Sequence, residues 1–223
     1  MKKIIFVFVV SVLMFSQIAS AGISYNGTFV SQYIWRGFDL NANQPAFQPG
    51  LSMPIGDSDF SFDIWGNVNL GQTSAKEFTE LDYILTYAKS FNGIDYSAGY
   101  TYYTFPNLTG AAAKSGEYFA GVGFPDQEFS PAITLYYDHD QGDGLYASLS
   151  GSYDIASLTV GYSGGQWGAA SGISDITLGL GTEFEYQDLS LSPFLTYTYI
   201  PESSGVNTST SELAFGYTIG GQI

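Results

Sequence analysis

The chain has 223 residues, with six basic side chains against 21 acidic ones and a formal charge of −15. That balance repels nucleic acid and rules out a basic helix lying on anionic lipid. There is no cysteine, so no disulfide framework and no lipid-modified cysteine supports the fold.

Residues 1–21 read as an export signal. Lys2 and Lys3 form a basic start, Ile4 to Phe15 is a nearly unbroken apolar run, and Ala19-Ser20-Ala21 is a small-x-small cleavage site. The run is shorter than the ~20 residues a membrane helix needs. The expected domain is therefore 22–223, with Arg36, Lys76, Lys89 and Lys114 as its basic residues. Low hydrophobicity with high charge can signal disorder, but an aromatic fraction of 17% argues for a folded, apolar-faced structure.

From there on the pattern alternates with period 2, as strands with two unlike faces do. Leu81, Tyr83, Leu85 and Tyr87 alternate with Glu80, Asp82, Ile84 and Thr86. Ile94, Tyr96, Ala98, Tyr100 and Tyr102 alternate with Asp95, Ser97, Gly99, Thr101 and Tyr103. Between these runs Asn92-Gly93 is a two-residue hairpin signal, because both residues tolerate positive φ. The pattern predicts about twelve strands, near 23–38, 44–55, 60–71, 79–91, 94–105, 116–124, 131–139, 145–154, 157–166, 174–187, 189–201 and 211–223.

Connections after even strands are short, among them Gly56–Asp59 and Asn92-Gly93. Those after odd strands are mostly longer: Asp39–Asn43, Gln72–Phe78, Pro106–Ser115, Asp140–Gly144, Trp167–Ile173 and Glu202–Thr210. Short turns on one rim and longer loops on the other describe an all-β fold, a single antiparallel transmembrane β-barrel with periplasmic turns and extracellular loops. Tyr33, Trp35, Tyr100, Tyr102, Tyr197 and Tyr199 fall near the loop rim and are expected to form an outward aromatic girdle. Tyr25, Phe60, Phe91, Phe124 and Tyr153 would form a second belt at the turn rim. Pro49 and Pro193 fall inside strands, where each removes a ladder donor, so bulges or shifted strand ends are expected there.

The inward phase carries Arg36, Asp63, Glu80, Asp82, Asp95, Glu117, Glu183 and Glu185, which are the candidate lumen-lining residues. A wet lumen with these acids would favour cations or neutral polar solutes. Alternatively the acids sit at the rims and select nothing. Arg36 would either pair with an acid on a neighbouring strand or face acids across a constriction. Small inward residues such as Gly99, Ser148 and Ser150 leave room, while Trp65, Tyr103, Phe119, Tyr136 and Tyr146 fill it. A narrow, partly occluded pore is the expectation, because twelve strands lie between the filled eight-strand barrel and the open porin.

Catalysis has little support. His139 is the only histidine, no His-x-Ser pattern follows it, and no second base accompanies it. No catalytic residue, metal site or cofactor is assigned, although the loop acids Asp138, Asp140 and Asp143 could attract Ca²⁺ weakly.

The stretch Phe29 to Gly37, with Ser31, Tyr33, Trp35, Arg36 and Gly37, is followed by Pro45, Gln48 and Gly50. This S-x-Y-x-W-R-G and P-A-x-Q-x-G pattern resembles the TorF family, small outer-membrane barrels regarded as porins. The resemblance implies passive solute passage through an outer-membrane barrel, with membrane lipid, the barrel-insertion machinery and small solutes as partners. It transfers no catalytic residue. A closed barrel with a structural, adhesive or scaffold role is the alternative, and a soluble periplasmic ligand binder is a third reading.

Overall fold

The computed structural model describes residues 22–71, 78–206 and 210–223. The expected export signal and parts of two long loops lie outside the described residues.

The fold is a closed antiparallel barrel of twelve wall strands. The strands are β1 (Ser24–Val30), β2 (Ile34–Trp35), β3 (Phe38–Asp39), β4 (Ala46–Pro54), β5 (Phe60–Asn69), β6 (Phe78–Phe91), β7 (Ile94–Thr104) and β8 (Lys114–Gly123). They continue as β9 (Ala132–Asp138), β10 (Gly144–Tyr153), β11 (Ala156–Ser163), β12 (Gly172–Gly181), β13 (Phe184–Tyr186), β14 (Leu189–Tyr199) and β15 (Ser211–Gln222). Each wall strand pairs with its neighbour in sequence, except that β1 skips to β4 and β12 to β14, and β1 pairs with β15 to close the wall. Closure leaves the twelve wall strands no free edge, which is how a sheet satisfies its backbone in lipid. The first and last described strands meet on the turn rim, where Ile23 and Ile223 exchange backbone hydrogen bonds of 2.9 and 3.0 Å.

The short turns form as their residues dictate. Asn92 and Gly93 both take positive φ, 53° and 74°, between the paired Phe91 and Ile94. Asp154 and Gln187 take positive φ in the corresponding turns.

Period-2 alternation sorts the two faces. Leu85, Tyr118, Leu135, Tyr137, Leu149, Leu178, Leu213 and Phe215 point outward and are exposed. Ile84, Thr101, Glu117, Phe119, Tyr136 and Tyr146 point inward and are buried. This is the reverse of a water-soluble barrel, and it matches a wall whose outer solvent is hydrocarbon.

Four expectations need correction. The first strand does not run to residue 38. It stops at Val30, and residues 31–45 fold back as a long loop carrying the small β2–β3 hairpin. The strand expected over 174–187 breaks at Thr182, and β13 continues past the rim paired only to β14. Pro193 lies opposite that break, so the ladder donor it lacks is not required there, and its carbonyl accepts from Thr182 N at 3.3 Å. Neither proline shifts the register. Pairing to β5 simply lapses at Gln48 and Pro49, and the register shifts fall instead at Asn67/Val68 and Gly161/Tyr162.

Candidate functional site: a plugged acidic lumen

The loop-side half of the lumen is built around Arg36. Trp35-Arg36-Gly37-Phe38 is a two-residue hairpin in which Trp35 pairs with Phe38. Arg36 and Gly37 both take positive φ, 51° and 86°, the type I′ geometry that matches strand twist. The second turn position suits glycine for two reasons: its φ, and the crowding a Cβ would meet at 3.1 Å from Val206 Cγ1. The hairpin turns into the barrel instead of along the wall, so Arg36 enters the lumen from a loop.

There the guanidinium meets Glu117 of β8 in a fork-to-fork ion pair, with Nη1 to Oε2 at 2.6 Å and Nη2 to Oε1 at 2.8 Å. Gln166 accepts from Arg36 and donates to Glu117 Oε2 at 2.6 Å, and the Tyr103 hydroxyl donates to Glu117 Oε1 at 2.8 Å. Both oxygens of Glu117 are thus fully engaged. The rings of Trp35, Tyr136 and Tyr146 lie 4.4, 4.3 and 4.5 Å from the guanidinium carbon. Burial by itself would lower the pKa of Arg36, but the Glu117 charge more than offsets it and leaves the pKa raised. Arg36 is therefore a fixed positive charge.

The girdle expectation fails for two residues. Tyr33 and Trp35 are buried at 8% and 7% exposure, packed with Tyr103 and against Phe38, Trp65, Phe105 and Trp167. The reason is the early end of β1, which takes both residues off the wall. Burial, then the charges of Glu80 and Asp82, push the Tyr33 hydroxyl up, and that hydroxyl hydrogen-bonds Glu80. Tyr102, Tyr197 and Tyr199 point outward and are exposed, with Tyr100 half-buried beside them.

The acids divide into two sets. Asp63, Glu80, Asp82 and Glu117 are buried on the inward face. Asp95 sits near the turn rim, half-buried, accepting from Ser90. Glu183 and Glu185 are exposed, because β13 and the residues before it run beyond the closed wall, and this corrects their placement in the lumen. Among the described residues Arg36 makes an ion pair with one inward acid, Glu117, across the lumen instead of from a neighbouring strand.

Sequence reasoning missed Gln166 and Trp167. They come from the loop between β11 and β12, which also folds inward behind Gly165 at φ 104°. Two consecutive glycines, Gly164 and Gly165, were the available signal. Outside the barrel, His139 lies against the rings of Tyr100 and Tyr118, with its Nε2 at 3.3 Å from the Tyr100 hydroxyl.

The turn-side half differs in its lining. Ser61, Thr86, Ser97, Ser148, Ser150 and Thr159 are inward and half-buried, with Asp63 held by Ser61 at 3.0 Å.

Among solved structures, this barrel is similar to a KdgM porin in complex with disordered oligogalacturonate. The TM-score is 0.54 at 9% identity, covering 91% of this chain and 99% of that one. It also matches outer membrane phospholipase A from Escherichia coli, with a TM-score of 0.48 at 12% identity over 90% and 92% of the two chains. At these identities the likeness to the KdgM porin speaks for the fold alone. No curated protein matches the chain. A family model described as a bacterial protein of unknown function, Gcw_chp, matches residues 17–216, and the chain belongs to that family.

Proposed function

We propose that this chain is an outer-membrane porin, a narrow passage for small polar solutes with a preference for cations. The observation that carries the reading is the charge of the lumen: buried inward carboxylates on β5, β6 and β8 face one guanidinium, and Glu117 consumes it. The small hydroxylic lining of the turn-side half supports it by leaving space where aromatics do not intrude. The TorF-like motif supports it as well, since Trp35, Arg36 and Gly37 are the residues that shape the plug. On this reading the apolar outer face meets lipid, and the insertion machinery receives the chain after export. The barrel acts without catalysis, and the hairpin tip sets the aperture.

Planar-bilayer recording on the purified, refolded barrel tests this. The expected result is a small conductance whose reversal potential in a KCl gradient favours K⁺. A flat trace overturns the channel, and an anion-favouring reversal potential overturns the selectivity. The second reading, a closed structural or adhesive barrel, is favoured by the aromatic fill around Tyr33, Trp35 and Tyr103. It predicts that flat trace.

A further inference from the structure

One wall of the lumen carries polar groups that the Arg36 network does not use. Glu80 and Asp82 are two residues apart on the inward face of β6, at 6% and 4% exposure. Thr101 of β7, at 1% exposure, pairs with Ile84 on one side and with Glu117 on the other, so Asp82 is its diagonal neighbour. Glu80 has the Tyr33 hydroxyl as partner. Asp82 Oδ1 and Thr101 Oγ1, both fully buried, have no hydrogen-bond partner. A buried carboxylate without counter-charge is costly, and so is an unsatisfied buried hydroxyl.

We propose that Asp82, Glu80 and Thr101 form a binding site for a dehydrated monovalent cation such as K⁺ or Na⁺. The donor set is oxygen only, which suits hard cations over transition metals. Two carboxylates are too few for a tight divalent site, and among the described residues no group of three His, Cys, Asp or Glu is placed to hold a metal ion. A single positive charge compensates what Arg36 cannot, because both of its terminal nitrogens serve Glu117. Trp65, paired with Asp82 across β5 and β6, walls the site on one side. The site deepens the channel reading by naming its solute class and depends on that reading only for the route by which the cation arrives.

Crystals of the full barrel soaked in thallium(I) acetate test the site directly. An anomalous peak between Asp82 Oδ1 and Thr101 Oγ1 is expected in the wild type and not in Asp82→Asn. Density without anomalous signal there, meaning an ordered water only, overturns the proposal. So does an equal peak in the variant. Thermal unfolding of detergent-solubilised barrel gives a second readout, comparing KCl with N-methylglucamine chloride at matched ionic strength. The wild type should be stabilised by K⁺, while Asp82→Asn and Thr101→Val should lose that shift. An equal shift in all three overturns the site, and if Asp82→Asn does not fold, Thr101→Val decides. Neither readout uses conductance, so a barrel that binds thallium but passes no current keeps the site and refutes the channel.

Discussion

The two halves of the lumen are made of the same strands yet differ in how they are filled. The loop-side half is packed by chain that does not belong to the wall: the 31–45 loop brings Tyr33, Trp35 and Arg36, and the loop before β12 brings Gln166 and Trp167. The turn-side half receives no loop: four of its five connections have two to five residues, and residues 124–129 of the longer one between β8 and β9 are exposed, so the serines and threonines of the wall face one another. A twelve-stranded wall encloses more space than its own side chains fill. Whether that space closes therefore depends on which loops are long enough to fold in. The loops that fold inward all come from one rim, and the plug lies at that end.

The largest expected break of this contrast is Arg36→Ala. It leaves Glu117, at 0% side-chain exposure, without its counter-charge, and removing one partner of a buried pair costs about 3–5 kcal/mol. The urea midpoint of the detergent-folded barrel should drop accordingly while bilayer conductance rises. Combining Arg36→Met with Glu117→Gln should recover much of the stability. If Arg36→Ala leaves both readouts unchanged, the hairpin is not what fills this half.

Gly37→Val comes next. It imposes a β-branched residue on φ 86° and a Cβ 3.1 Å from Val206 Cγ1, and strain of this kind costs about 1–3 kcal/mol. The same unfolding assay should show a loss smaller than that of Arg36→Ala. The chain has three tryptophans, so iodide quenching read in a Trp65→Phe, Trp167→Phe background is the local probe of Trp35, and it should increase.

Ser150→Phe sharpens the other side of the comparison. Ser150 is half-buried on the open, inward face. Added bulk there should lower conductance and leave the unfolding midpoint near that of the wild type. A midpoint that falls as far as in Arg36→Ala would show the turn-side half to be packed as tightly as the plugged one. The smallest effect is Lys89→Ala at the turn rim. Its 2.8 Å pair with Asp59 is exposed on both sides, and no change in midpoint is expected at 0.15 M salt.

Much of this was legible in the residues. The strand bounds over 60–104 and 131–154 follow the alternation within a few residues, because one face is apolar and the other polar, and a one-residue slip would exchange them. The Asn92-Gly93 turn was readable for the same local reason. Where reading failed, the residues were locally ambiguous. Tyr33 and Trp35 continue the phase of β1, so they look like girdle; nothing nearby reveals that Val30 is the last wall residue. Pro193 looked disruptive because the break in its partner at Thr182 is remote in sequence, 11 positions earlier.

The sequence by itself determined a closed, outward-apolar barrel with unequal rims, because period-2 patterning and turn chemistry act over a few residues at a time. Only the tertiary structure decided what occupies the interior. Arg36 and Glu117 are 81 positions apart, and Arg36 and Gln166 are 130 apart. No local preference encodes such contacts. They arise because a buried carboxylate must find a counter-charge, and in this lumen the one guanidinium arrives on a loop.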